Sequence, residues 1–156
     1  MRFDGTIIIT DPCYVIKNDE DWKKCDYGND FEALGIHNYM TQETGCGDWS
    51  CHCIKLFKDP IEIVKELADM TGNIEDQLVC EEIGQFCADS GLVSVFDLDE
   101  LRNYNPDIDK FIFDHPHVVT TIANYHGDID FLAPNWITHV AGKGNINFLT
   151  IGFIYA

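Results

Sequence analysis

The chain has 156 residues, and a composition of 46% hydrophobic and 12% aromatic residues is typical of a folded globular protein. It is strongly acidic, because 27 Asp and Glu residues against 10 Lys and Arg give a formal net charge of −17. Nucleic-acid phosphates and anionic membrane surfaces repel such a chain, so we expect no direct binding to either.

The seven cysteines and the N-terminal sequence bear on the compartment. An odd number of cysteines at irregular spacing argues against a secreted disulfide framework. The isoleucine run Ile7 to Ile9 is too short for a signal peptide, and no window approaches the roughly 18 apolar residues of a membrane span. We therefore expect a cytoplasmic protein with a single globular domain, residues 1–156.

The first elements are a strand and a short helix. Thr6 to Thr10 is predicted to be a buried strand that ends before Pro12, which cannot donate to a sheet ladder. Cys13 to Ile16 is predicted to resume an extended path. Asn18 is a suitable N-cap for a short helix from about Glu20 to Cys25.

The next part contains a strand and the clearest helical pattern. Residues 29–48 predict an irregular connection with a short strand near Ile36 to Met40, and Trp49 to Phe57 alternates like a strand. Asp59 and Pro60 then form a helix start, followed by apolar residues at helical spacing. This predicts a well-formed helix at about 60–70.

The stretch Gly84 to Phe96 lies near the middle of the chain and joins two apolar runs through Asp89, Ser90 and Gly91. It predicts a hairpin whose turn is held by local hydrogen bonds of the polar side chains and by a positive φ at Gly91. Asp97 then has the capping-box spacing with Glu100, which predicts one helical turn.

From Phe111 the pattern predicts strands to the end of the chain. Val118 to Asn124 and Ile129 to Leu132 are predicted to pair through a turn at 125–128. Ile137 to Ala141 and Ile146 to Tyr155 are predicted to pair through a turn at 142–145, with the last run as a central strand. The predicted class is α+β, dominated by a mostly antiparallel sheet with several hairpins, the helix at about 60–70 and one or two short helices.

Two groups of residues contain side chains of the types that bind metal ions. On an extended strand, Cys51 and Cys53 share a face while His52 points the other way, which favours core packing over a zinc site. The histidines near residues 115–126 lack a third cluster that would complete a two-metal site. Metal binding stays open for Cys46, Cys51, His52 and Cys53, and for His115, His117 and His126.

A recurring pattern places an acid beside a turn residue at a strand end. If these ends gather at one edge of the sheet, they form an acidic pocket with aromatic walls, suited to a cation or a basic peptide. No catalytic constellation and no glycine-rich phosphate loop is present, so we expect no cofactor. The candidate binding residues are Asp11, Tyr14, Asp48, Trp49, Asp89 and Ser90.

Some of these segments also resemble a family of uncharacterised bacterial and phage proteins. The resemblance rests on the opening Ile9 to Val15, on Asp21-Trp22, on Gly47-Asp48 and on the Ala88 to Gly91 turn, and it runs to about residue 96. The family has no assigned activity, so the resemblance implies a prokaryotic or phage setting and no catalytic residues.

Two functional hypotheses follow. The first is a non-catalytic protein, of nucleic-acid-mimic or inhibitor type, whose acidic surface docks on a basic protein partner. Between Glu75 and Asp109 the only Lys or Arg residue is Arg102, while acidic residues are dense.

The alternative is a small metal-dependent or Cys/His hydrolase. We favour the first hypothesis, and the sequence does not predict the oligomeric state.

Overall fold

A computed structural model describes residues 1–43, 50–56, 80–131 and 148–152. Its seven strands form one sheet in the order β2-β5-β1-β6-β7-β3-β4, with every neighbouring pair antiparallel except β6 and β7. The predicted α+β class with a mostly antiparallel sheet is confirmed. The strands are β1 Arg2–Thr10, β2 Tyr39–Glu43, β3 Ser50–Leu56, β4 Cys80–Cys87, β5 Leu92–Asp97, β6 Val119–Phe131 and β7 Phe148–Gly152.

Three short α-helices are described. The side chain of Asn18 accepts a hydrogen bond from the Asp21 backbone N–H, and that of Asp97 accepts from Asp99 and Glu100, so both predicted N-caps are confirmed. The helices are α1 Asp19–Lys24, α2 Leu98–Tyr104 and α3 Ile108–Asp114, with 3₁₀ turns at Pro12–Tyr14, Asp26–Gly28 and Glu32–Leu34. Together with the segments that connect them, at 12–34 and 98–114, we call these helices and turns the helical layer.

The second half of β1, Ile7 to Thr10, and most of β5 are buried on both faces, which explains their continuous apolar runs. Ile7 and Ile9 face one core cluster together with Phe86 and Val95. Ile8 faces the other cluster, where the helical layer contributes residues including Phe31, Leu101 and Ile108. The helical layer therefore covers one face of the sheet, and the other face encloses its own core.

The sheet curls so that β4 returns to β6. In a flat sheet, the five steps of the strand order from β5 to β4 would separate them by about 24 Å, at roughly 4.8 Å per step. The chain from Cys87 to Leu92 reaches at most about 18 Å. The contact is visible at Gly84, where an added Cβ would lie 2.3 Å from the Thr120 hydroxyl oxygen. Curling is therefore required by the short connection between β4 and β5.

The predicted hairpin at Gly84 to Phe96 is wrong in one respect. Both runs are strands, but β4 pairs with β3 while β5 pairs with β1 and β2. The connection Ala88 to Gly91 crosses between the two halves of the curled sheet and does not close a hairpin. The predicted positive φ at Gly91 is confirmed, at 79°.

The predicted turn at 125–128 is also wrong, because β6 continues through it as one strand of 13 residues. Tyr125 to Asp128 pair in regular register with Arg2 to Gly5 of β1. A β-bulge lies just before them: Ala123 and Asn124 together lie opposite Thr6, and Asn124 has a φ of 52°.

Two further predictions fail near the helical layer. Cys13 to Ile16 does not resume an extended path, because Pro12–Tyr14 forms a 3₁₀ turn. Phe111 lies in α3 and not in a strand. Its spacing from Ile108 and Ile112 places these apolar side chains on one helix face, which packs towards the core.

Several predictions concern the remaining segments. The strand predicted at 49–57 is confirmed as β3, and that predicted at 36–40 begins three residues later, as β2 Tyr39–Glu43. The last run contributes β7 between β6 and β3. The helix at about 60–70, the strand at 137–141 and the turn at 142–145 lie outside the described residues. Within the described ranges, no helix has the length and apolar character needed to cross a bilayer.

Candidate functional site

Asp11 follows β1 directly and starts the turn that leads into the helical layer. Its carboxylate Oδ1 accepts a hydrogen bond from the Cys13 backbone N–H at 2.9 Å, and its side chain is buried. Pro12 occupies the first position of the 3₁₀ turn, where its missing N–H costs nothing. The Thr10 hydroxyl lies 3.2 Å from the carbonyl oxygens of Asp11 and Val118, to which it donates. The strand end that carries Asp11 is thus fixed by side-chain hydrogen bonds.

The same carboxylate holds the connection between β4 and β5. The Ser90 backbone N–H donates to Asp11 Oδ2 at 2.6 Å, and the Ser90 hydroxyl donates to Asp11 Oδ1 at 2.7 Å. Hydrogen bonds to an ionised acceptor are stronger than those between neutral groups. We call this arrangement the Asp11 latch. It joins the end of β1 to a turn 79 residues later. Ser90 therefore bonds to a distant carboxylate, whereas the sequence predicts a bond to the local backbone.

Tyr14 forms a second link to the same turn. Its hydroxyl donates a hydrogen bond to Asp89 Oδ2. Burial, together with this bond to Asp89, raises the pKa of the Tyr14 phenol above its ordinary value. Tyr14 is therefore a neutral hydrogen-bond donor at physiological pH, with its ring held at the surface of the helical layer.

Cys13 lies between Asp11 and Tyr14 but is poorly suited to nucleophilic chemistry. Burial raises the pKa of its thiol, and the nearby charge of Asp11 raises it further. A thiol needs to ionise to act as a nucleophile. Within the described residues no hydrogen bond joins Ser90 to a histidine, so Ser90 also lacks the usual activating base.

The structure brings together four of the six predicted binding residues, namely Asp11, Tyr14, Asp89 and Ser90. Asp48 and Trp49 lie outside the described residues. The four form hydrogen bonds mainly with one another: Asp11 is buried and accepts from Ser90, and Asp89 accepts from Tyr14. This geometry makes them a brace between two chain segments.

The candidate metal ligands are distributed over different elements. His115 Nδ1 lies 3.1 Å from the Phe111 carbonyl oxygen, and its ring is 6.3 Å from that of His117. His126 lies on β6, where Nδ1 is 3.1 Å from Asp4 Oδ1. In the described part of the chain, no group of three His, Cys, Asp or Glu side chains is arranged to hold a metal ion. Cys46 lies outside that part, and the side chains of Cys51, His52 and Cys53 are not described.

A surface cleft adjoins Tyr14 and was not predicted. It has a volume of about 450 Å³ and lies between the first 3₁₀ turn and the connection from α2 to α3. Ligand sites commonly have volumes of about 300–1,000 Å³. Its lining residues are Tyr14, Ile16, Lys17, Asn105, Pro106, Asp107 and Phe111.

The prediction missed this cleft because it read Phe111 as the start of a strand. The sequence does contain a usable signal: Pro106 and Asp107 precede apolar residues at helical spacing, which is typical of a helix start. Recognising α3 would have placed Phe111 beside the polar connection. It would not have placed Tyr14 there, since that depends on tertiary packing.

Neither a protein-family model, nor a curated protein, nor a solved structure matches this chain.

Proposed function

We propose that this chain is a small acidic cytoplasmic binding protein, of prokaryotic or phage origin, that docks its acidic helical layer on a basic protein partner. A nucleic-acid mimic or an inhibitor would act in this way. The observation that carries the proposal is the concentration of exposed acidic residues on this layer. They are Asp19, Glu20, Asp26, Asp30, Glu32, Asp99, Asp107, Asp109 and Asp114.

The basic residues of the layer offset only part of this charge. Arg102 is shared between two carboxylates, with its guanidinium 3.1 Å from Asp99 and 2.8 Å from Asp109. Lys24 is likewise shared between Glu20 at 3.7 Å and Asp21 at 3.9 Å. One positive charge between two negative charges leaves a negative field, which attracts a basic partner and speeds its association.

Some acidic residues in the densest span have structural roles. Asp97 caps α2, and Glu100 Oε2 accepts hydrogen bonds from the backbone N–H groups of His37 and Asn38. These two carboxylates hold the helical layer to the sheet. The docking surface is therefore assigned to the exposed acids of α1, α3 and the intervening turns, in addition to the span around Arg102.

The test compares two variants with the same net charge. In Asp107→Asn/Asp114→Asn, two exposed acids of the helical layer are neutralised; in the control Asp4→Asn/Glu43→Gln, two exposed acids of the strands are neutralised. The immobilised proteins are incubated with prokaryotic lysate at about 50 mM and 500 mM NaCl. Over this range the Debye length, the distance over which charges interact, falls from roughly 14 Å to 4 Å.

Each basic protein captured at low salt is then purified and its Kd measured. We expect binding that weakens steeply with salt and weakens further in the helical-layer variant than in the control. Equal effects of the two variants, or binding that does not depend on salt, would contradict docking through the helical layer.

A further inference from the structure

The cleft beside Tyr14 supplies the features that an arginine side chain needs. One wall is aromatic: the rings of Tyr14 and Phe111 have centroids 6.5 Å apart and an interplanar angle of 24°. Phe111 also stacks on His115, with centroids 4.6 Å apart. Guanidinium groups stack favourably on aromatic faces, and both Tyr14 and Phe111 line the cleft.

Asp107 supplies a carboxylate at the same cleft. Its backbone N–H donates to Asn105 Oδ1 at 3.1 Å, and its carbonyl accepts from the Phe111 N–H, so its backbone is fixed at the start of α3. Among the described residues, its carboxylate forms no hydrogen bond or ion pair, and Asp107 makes no side-chain cap bond. It is therefore free to accept a guanidinium through two parallel hydrogen bonds.

Lys17 also lines the cleft, and its charge works against a cationic guest. Its ammonium nitrogen lies 4.8 Å from the centroid of the Tyr104 ring, a cation–π contact that holds it towards that ring. The Lys17 backbone N–H donates to the Tyr104 hydroxyl, and that hydroxyl donates to Asp21. Lys17 thus distinguishes two classes of guest, because removing it strengthens the binding of a cation and weakens the binding of an anion.

We infer that the cleft receives an arginine side chain of the basic partner, stacked on the Tyr14 and Phe111 wall and paired with Asp107. This rests on the proposed function, whose negative field brings a basic segment to this face. Lysine fits less well, because its ammonium is a compact, strongly hydrated charge that cannot lie flat on an aromatic ring and forms no two-point pair with a carboxylate.

The probes are acetylated and amidated tetra-arginine and tetra-lysine peptides, whose Kd values are measured by calorimetry at low salt. We expect wild-type protein to prefer tetra-arginine. Asp107→Asn and Phe111→Leu each weaken tetra-arginine binding about threefold or more, while Lys17→Gln strengthens it. The controls are Glu43→Gln and Phe113→Leu, since both residues are exposed and outside the cleft lining, and Glu43 lies on β2 away from the helical layer.

Phe111 also packs against the core, so circular dichroism must show that Phe111→Leu is folded, and Asp107→Asn supplies an independent test. Amide shifts of ¹⁵N-labelled protein on titration with tetra-arginine are expected to centre on Tyr14, Asp107 and Phe111.

The alternative outcomes separate the two proposals. Wild-type-like tetra-arginine binding by both Asp107→Asn and Phe111→Leu overturns the cleft and leaves docking through the acidic layer intact. Weaker binding by Lys17→Gln also overturns the cleft as an arginine site, because it indicates an anionic guest. Absence of tetra-arginine binding by the wild type at low salt contradicts both proposals.

Discussion

The carboxylate of Asp11 accepts both the backbone N–H and the hydroxyl of Ser90, and so ties the end of β1 to the connection between β4 and β5. That connection carries the chain from one half of the curled sheet to the other. The Asp11 latch therefore acts where the fold closes, and its contribution is to stability.

Replacing Asp11 should destabilise the fold strongly. Asp11→Ala removes a buried carboxylate that accepts from the partly buried backbone N–H groups of Cys13 and Ser90, so we expect the free energy of unfolding to fall by about 2 kcal/mol or more. Ser90→Ala removes one of the three bonds and should cost about 1–2 kcal/mol. Urea unfolding measures both, with the exposed Asp114→Asn as control. A loss below about 1 kcal/mol for Asp11→Ala would contradict the latch.

Gly84 tests the curl of the sheet. In Gly84→Ala the new methyl group would lie 2.3 Å from the Thr120 hydroxyl oxygen and 2.6 Å from its methyl carbon. We expect a loss of about 1–3 kcal/mol of unfolding free energy from overpacking between β4 and β6.

The double variant Gly84→Ala/Thr120→Ala should lose less than the sum of the two single variants, because Thr120→Ala removes the two closest of the three atoms in conflict and leaves only Cβ, at 3.0 Å. Additive losses in urea unfolding would indicate that β4 does not approach β6 at this point.

The thiol of Cys13 should react slowly. Burial and the Asp11 charge raise its pKa, so the ionised fraction in the native protein is small at pH 8. We expect iodoacetamide to alkylate Cys13 at least about tenfold more slowly in the native chain than in urea, as measured by peptide mass spectrometry. Alkylation of native Cys13 at the rate of the unfolded chain would show that its thiol is exposed to solvent beside Asp11.

Alkaline pH should destabilise the protein through Tyr14 and Tyr104. Burial raises the pKa of both phenols above the ordinary value of 10.0. A group with a raised folded pKa contributes its full stability below the unfolded pKa, and this is lost as pH rises through the folded pKa. The free energy of unfolding should therefore fall above about pH 10.

The matched variant is Tyr14→Phe, which cannot ionise and should show a shallower decline when urea unfolding is repeated between pH 8 and pH 10.5. A slope identical to that of the wild type would remove Tyr14 from this explanation.

Patterns dominated by neighbouring residues predicted the fold best. The apolar run Thr6 to Thr10 and the caps Asn18 and Asp97 are local signals, and each lies where it was expected. The polar turn at Asp89 and Ser90 was located correctly but assigned to a hairpin, because local turn chemistry does not specify the strand partner. Pairing depends on long-range contacts, here the curl that brings β4 to β6.

The candidate site was predicted in the same uneven way. The acid at each strand end was a readable signal, and Asp11 and Ser90 do meet. The sequence does not show that Asp11 is buried and serves as an internal hydrogen-bond acceptor. It also does not show the contact between Tyr14 and Phe111, which lie 97 positions apart in the chain. The sequence therefore predicts a binding site at residues that form the latch, while the open cleft lies beside them.

The division between latch and cleft is tested most directly by the Kd for tetra-arginine in Ser90→Ala and Asp107→Asn, with the melting temperature of each recorded on the same samples. If the latch is structural and the cleft binds, Ser90→Ala lowers the melting temperature and keeps the wild-type Kd. Asp107→Asn then keeps the melting temperature and weakens binding about threefold or more. The reverse pattern, with binding lost in folded Ser90→Ala and unchanged in Asp107→Asn, would contradict it.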